Sequence, residues 1–216
     1  MGCATRRKSA AGFRPSKNFA CSAALVLAAD VFDQYLCDIA EEDWLSFEKY
    51  TREIAAKEIT RPKDEGGNYS ISERAEALLK ELGQESTEPL LAALDLFSKW
   101  RNAVVHSSIR KPKLKTQFRK ILINSKKHFH EHYSHLDIEL AIQNFEHKKT
   151  PVPKETTSLI AAAQNASKMI DEAAIQRVAG TPELMEVATE RILLNHFADP
   201  DHLQFVYAEI CEAWQG

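Results

Sequence analysis

The chain is poor in the features that commonly announce a function. Its four cysteines, Cys3, Cys21, Cys37 and Cys211, are scattered with no CxxC spacing. Neither a zinc site nor a disulfide framework is indicated, and a reducing cytoplasm is the expected setting. No GxGxxG, GxxxxGK[ST] or GxSxG occurs, which leaves dinucleotide, P-loop and serine-hydrolase readings without support. No apolar/polar alternation is followed by a hairpin turn, so no sheet is expected. The apolar run Ala20 to Ala29 is too short to span a bilayer. Arg6, Arg7 and Lys8 before it imitate a signal peptide, but the run continues through Val31, Phe32, Tyr35, Leu36 and Ile39 at helical spacing with no small-residue cleavage site. No membrane partner is expected. Met1-Gly2 is no myristoylation signal, because Arg6 stands where Ser or Thr is wanted.

One further deficit is local. Between Leu96 and His130 there is no Asp or Glu, while Lys99, Arg101, Arg110, Lys111, Lys113, Lys115, Arg119, Lys120, Lys126 and Lys127 all fall inside. The chain as a whole carries −3. A basic block in an acidic chain is the pattern of a surface that meets phosphates, and those ten residues except Arg101 form the expected RNA-binding set; a solvated face is the plainer alternative.

What is present is helical periodicity. Length, 44% hydrophobic and 27% charged content describe an ordinary globular chain with a substantial core. Residues 1–15 read as a basic tail. A first helix is expected over Lys17 to Ala40 and a second over Glu42 to Thr60. A Gly66-Gly67 loop follows, then a short helix with a Ser70/Glu73 capping box that ends before Gly83. The next helix starts at Ser86 or Thr87 with Pro89 in its first turn and runs to about Trp100 and beyond. A basic loop through Pro112 leads to one long or broken helix over Leu114 to His147. Thr150-Pro151-Val152-Pro153 marks the expected boundary between a domain at 16–149 and an extension at 150–216 with three helical segments. The expected fold is all-α.

Arg101-Asn102-Ala103-Val104-Val105-His106 is the stretch richest in chemistry. At about 100° per residue, Arg101 falls in the stripe of Leu90, Leu94, Phe97 and Val105, and Asp95, Asn102 and His106 align on its flank. A guanidinium on an apolar stripe is costly to bury unless it meets an anion. The plain alternative is an arginine at the core edge and an ordinary helix-end histidine.

These residues resemble the motif of the HEPN superfamily of helical ribonucleases and toxins: an Arg, a polar residue after it, and a His following four to six intervening positions. Arg101, Asn102 and His106 fit with four, at the end of a long helix, and the resemblance spans about Ser16 to Lys148. It implies an HEPN-like helical bundle acting as a homodimer in which two motifs face across one cleft, and a toxin or phage-defence role with an antitoxin or defence-complex partner. HEPN toxins held by a nucleotidyltransferase antitoxin usually carry a Tyr two residues after the His; here Ser108 stands there.

The expected function is metal-independent endoribonucleolysis. RNA supplies its own nucleophile in the 2′-OH, so His106 would move protons, Arg101 would hold the phosphate oxygens, Asn102 would orient either, and Asp95 would keep the set in register. No cofactor is expected. The alternative is a non-catalytic helical RNA- or protein-binding module of a multi-component complex. His128, His132 and His135 would share a helix face at a spacing able to ligate a metal, but no Asp, Glu or Cys completes the set.

Overall fold

The computed structural model describes residues 13–62, 67–106 and 112–180, and within them every regular element is helical. The fold is all-α. In chain order the helices are α1 (Phe13–Ala40), α2 (Lys49–Ala55), α3 (Ile71–Glu81), α4 (Glu88–Val105), α5 (Thr116–Asn124), α6 (Lys126–His132), α7 (Ile138–Glu146) and α8 (Pro153–Ala179), with a 3₁₀ turn at Asp43–Leu45. The tail at 1–12 and the segments expected to be helical beyond Gly180 lie outside the described residues.

Helix α4 is the axis of the bundle: α1, α3, α5 and α8 all pack on it. Leu90, Ala93, Leu94, Phe97 and Trp100 of α4 are buried in one core with Leu25, Phe32 and Leu36 of α1 and with Leu78 and Leu79 of α3. Trp100 stacks tilted on Phe145 and donates from Nε1 to the Lys149 carbonyl at 3.2 Å, which satisfies its one polar atom. Most of the apolar stripe beneath Arg101 is therefore spent inside the chain. An interface between copies through Leu90, Leu94 and Phe97 has no free surface to use. Only Val105 is exposed.

Helix starts follow the sequence closely. Ser70 and Glu73 form the reciprocal capping box at α3, Thr87 precedes α4 with proline in its first turn, and Pro153 begins α8. The second expected helix does break, because Ser46 and Lys57 adopt left-handed backbone at φ 49° and 64°. The helix expected over 114–147 is three, separated at Ser125 and by the turn through Ser134 and His135, both left-handed, before Asp137 caps α7 by accepting from the Leu140 N–H at 3.0 Å. The prolines at 151 and 153 mark a helix start and not an edge of the core. Leu159, Ala162, Ala163, Ala166, Ile170 and Ala174 of α8 are buried in the same cluster as α1 and α4, and Tyr35 of α1 donates to Asp171 of α8 at 2.7 Å. Burial first, then that contact, pushes the Tyr35 hydroxyl far above its usual range.

Over Asn18–Ala40, α1 is long and apolar enough to cross a membrane by length and composition. This exceeds the short run that the sequence pattern delimits, because the helix continues unbroken past Asp30 and Asp33. Here the helix buries one side in the bundle and pairs those two aspartates with Arg101 and Arg74.

Candidate functional site

The contact of α1 with α4, closed by α2 and by the start of α3, leaves a cavity of about 500 Å³. Asp95, Lys99, Arg101 and Asn102 line it together with Asp30, Asp33 and Lys57. Three of the four expected catalytic residues thus share one cavity. His106 does not line it: α4 ends at Val105, and His106 follows as an exposed cap residue whose N–H reaches the Asn102 carbonyl at 2.9 Å. Its backbone leaves the helical region (φ −104°, ψ 97°), so the wheel alignment of Asp95, Asn102 and His106 stops one residue short.

The partner of Arg101 is the main finding that sequence spacing could not supply. Its Nε and Nη2 donate to Asp30 Oδ1 at 3.0 and 2.6 Å, and its Nη1 donates to Asn102 Oδ1 at 3.1 Å. Asp30 and Arg101 are 71 positions apart. Their side chains are 49% and 28% exposed, so the pair is a solvent-screened one worth about 0–1 kcal/mol. It holds the guanidinium in a defined pose without saturating it, since all the contact falls on one carboxylate oxygen.

Asp95 is the opposite case. It is 1% exposed, with the Lys99 ammonium 2.9 Å from Oδ2 as an ion pair and neither carboxylate oxygen in a well-formed hydrogen bond. Burial pushes its carboxyl above the usual range, and Lys99 draws it partly back. An unpaired buried acceptor costs about 1–3 kcal/mol. Asp95 is therefore a wall group of the cavity and not a brace between Arg101 and His106, the role its helical register suggests.

The basic block is less available than its sequence implies, because carboxylates meet it: Glu73, Glu139 and Glu146 from other helices, and Glu131 from the same helix as Lys127. Lys115 pairs with Glu73, Arg119 with Glu146, Lys126 with Glu139 and Lys127 with Glu131, at 3.1, 3.1, 3.9 and 3.8 Å. Lys99 is held by Asp95. Lys113 and Lys120 are exposed and show no ion pair among the described residues; Arg110 and Lys111 lie outside them.

The histidine cluster does not form the expected face. His128 and His132 stand together, with ring centroids 4.7 Å apart. The left-handed backbone at Ser134 and His135 turns His135 back toward His130, 3.2 Å away between ring nitrogens. No group of three or more His, Cys, Asp or Glu able to hold a metal occurs among the described residues.

Asp30, Asp33 and Lys57 were missed as site residues. The available signal was Asp30 and Asp33, three residues apart in the predominantly apolar stretch Phe19 to Cys37, which places both on one side of α1. No family model, curated protein or solved structure matches the chain.

Proposed function

We propose that the chain is a metal-independent endoribonuclease whose phosphate ligand is Arg101. The observation that carries this reading is the pose of Arg101: part-exposed, fixed by Asp30 and Asn102 at the edge of a cavity, with an exposed histidine five residues further along the chain. An incoming phosphate would compete with Asp30 for the guanidinium and, offering two oxygens to its fork, would make the stronger bidentate contact. His106 would exchange a proton with the 2′-OH or the leaving 5′-oxygen, and Arg101 would stabilise the charge that grows on the non-bridging oxygens.

One imidazole serves only one of the two proton transfers, so the reading calls for a second copy. With the α4 stripe buried, the surface that suits one is the outer side of α1, where Phe19, Leu27 and Val31 are exposed. Asp30 falls within that side on the helical wheel, and Val105 is exposed at the adjoining end of α4. A homodimer through this side would bring the two Asp30–Arg101 pairs close together. The role as a toxin or defence effector, with a restraining protein partner, belongs to the same reading.

Incubating the protein with labelled RNA in EDTA tests it. Products with 2′,3′-cyclic phosphate and 5′-hydroxyl ends are expected, and His106→Ala should abolish them. The second reading, a non-catalytic RNA- or protein-binding module, is favoured by one observation: the His106 imidazole has no side-chain hydrogen-bond partner among the described residues to orient it. Binding without cleavage by wild-type protein would establish that reading instead.

A further inference from the structure

Two ion pairs stand one helical turn apart on the cavity side of α1, Asp30 with Arg101 and Asp33 with Lys57. Residues three apart on a helix have Cβ atoms roughly 5–6 Å from each other. The cations they hold are thus seated one turn apart, a separation comparable to that of successive phosphates along a single strand. Both line the cavity with exposed side chains, 28% for Arg101 and 50% for Lys57. Each can also be released. Asp33 keeps the buried Arg74 when Lys57 leaves, and the half-exposed Asp30 turns to water when Arg101 leaves. Lys99 differs, because the buried Asp95 has no other ion pair among the described residues.

The backbone of Lys57 is a second, independent observation. Helix α2 closes with the Lys57 N–H on the Ile54 carbonyl at 3.2 Å and the Glu58 N–H on the Glu53 carbonyl at 2.8 Å, and Lys57 takes left-handed backbone at φ 64°. Glycine is the usual residue at such a helix end, since a side chain there is strained. The pair with Asp33 is solvent-screened and does little to offset that strain. A strained residue that projects a cation into a cavity fits a functional contact better than a structural one.

We propose that Lys57 and Arg101 hold two successive phosphates of one RNA strand, which crosses the cavity between the end of α4 and the end of α2. The proposal rests on the reading of Arg101 as a phosphate ligand for the first phosphate and adds the second. Arg74, Lys57, Lys99 and Arg101 outnumber Asp30, Asp33 and Asp95, so the cavity carries no net negative charge against an incoming phosphate.

Calorimetric titration of the full chain in EDTA with a nucleoside 3′,5′-bisphosphate, the matching 5′-monophosphate and the matching 5′-diphosphate tests this. The bisphosphate should bind at least about 10-fold tighter than the monophosphate, the worth of one added charge-assisted contact. It should also outdo the diphosphate, whose two phosphates adjoin. Lys57→Gly should erase the preference and lower the salt slope of bisphosphate binding by about one. The same variant should unfold at an unchanged or higher temperature, because glycine relieves the left-handed backbone; if it does not fold, Lys57→Gln gives the same binding test. Lys57→Arg should keep the preference. Equal affinity for bisphosphate and monophosphate, tighter binding of the diphosphate, or a preference that survives the loss of the Lys57 charge overturns the proposal. Its failure is distinct from failure of the Arg101 reading. If bisphosphate and monophosphate bind equally and both depend on Arg101, the Lys57 site fails while the Arg101 reading stands. If bisphosphate binding depends on Lys57 and not on Arg101, the Arg101 reading fails while Lys57 stands as a phosphate ligand. No binding by any of the three overturns both.

Discussion

Two arginines reach from neighbouring helices to aspartates one turn apart on α1, and they are used in different ways. Arg74 of α3 is 1% exposed and its fork is filled: Nε donates to the Ala55 carbonyl at 2.8 Å, Nη1 binds Asp33, and Nη2 meets the Asp33 carbonyl and Cys37 Sγ at 3.2 and 3.1 Å. Arg101 of α4 is 28% exposed and spends three N–H groups on two oxygen atoms, one of which belongs to its own chain neighbour. A guanidinium saturated in the core fixes the geometry of α1, α2 and α3. One that is positioned but unsaturated at a cavity edge is equipped to accept an anion.

Removing each arginine should separate the two roles. Arg74→Met leaves Asp33 with Lys57 alone and the Ala55 carbonyl without its side-chain donors, and should cost about 1–3 kcal/mol in denaturant unfolding, the penalty for a buried polar group that loses its partner. Arg101→Ala should cost under about 1 kcal/mol in the same measurement, yet abolish RNA cleavage. Comparable stability losses for the two variants would erase the distinction between them.

The pH response sharpens the comparison through two carboxyls of opposite sign, Glu73 at the start of α3 and Asp95 in the cavity wall. Burial raises the Glu73 carboxyl, but the Ser70 N–H and hydroxyl, Arg61 and Lys115 outweigh it and hold the group at about 2. A carboxyl depressed in the folded state stabilises above its unfolded value, and that contribution is lost as pH falls toward 2. Glu73→Gln should therefore lose about 1–3 kcal/mol at neutral pH and show a flatter stability profile between pH 4.5 and 2. Asp95 carries the opposite sign. Its carboxyl is raised, so the folded state prefers it protonated and stability falls as pH climbs through the usual carboxylate range. Asp95→Asn should be neutral or stabilising at pH 7, by thermal unfolding, and a large loss would show that the Lys99 pair holds the fold. The smallest expected effect belongs to the surface: Lys113→Gln with Lys120→Gln should weaken RNA binding a few-fold and reduce its salt slope by about two, while Lys126→Gln and Lys127→Gln, both on paired lysines, should do less.

Local chemistry was legible in the chain and tertiary pairing was not. The Ser70/Glu73 box, the start of α4 at Thr87 and the start of α8 at Pro153 each depend on residues within four positions. The breaks at Ser46, Lys57 and Ser134 fall on residues that carry no signal for left-handed backbone, and His135 carries only a weak one, so the second helix reads as longer than it is and the sequence leaves open whether 114–147 is one long helix or a broken one. The cavity required knowing that Asp30 meets Arg101. The thinning of the basic block required knowing that Glu73, Glu139 and Glu146 fold onto it.

The central claim is that Arg101 is held ready for a phosphate whose neighbouring 2′-OH is activated by His106. Cleavage of a labelled single-stranded RNA in EDTA, followed side by side for wild type, His106→Ala and Arg101→Ala at saturating protein, tests it most directly. The account predicts robust wild-type cleavage to cyclic-phosphate ends and a loss of about 10²–10⁴-fold in the His106 variant, with Arg101→Ala equally silent and both variants folded. Equal cleavage by wild type and His106→Ala, or none by wild type, would contradict it.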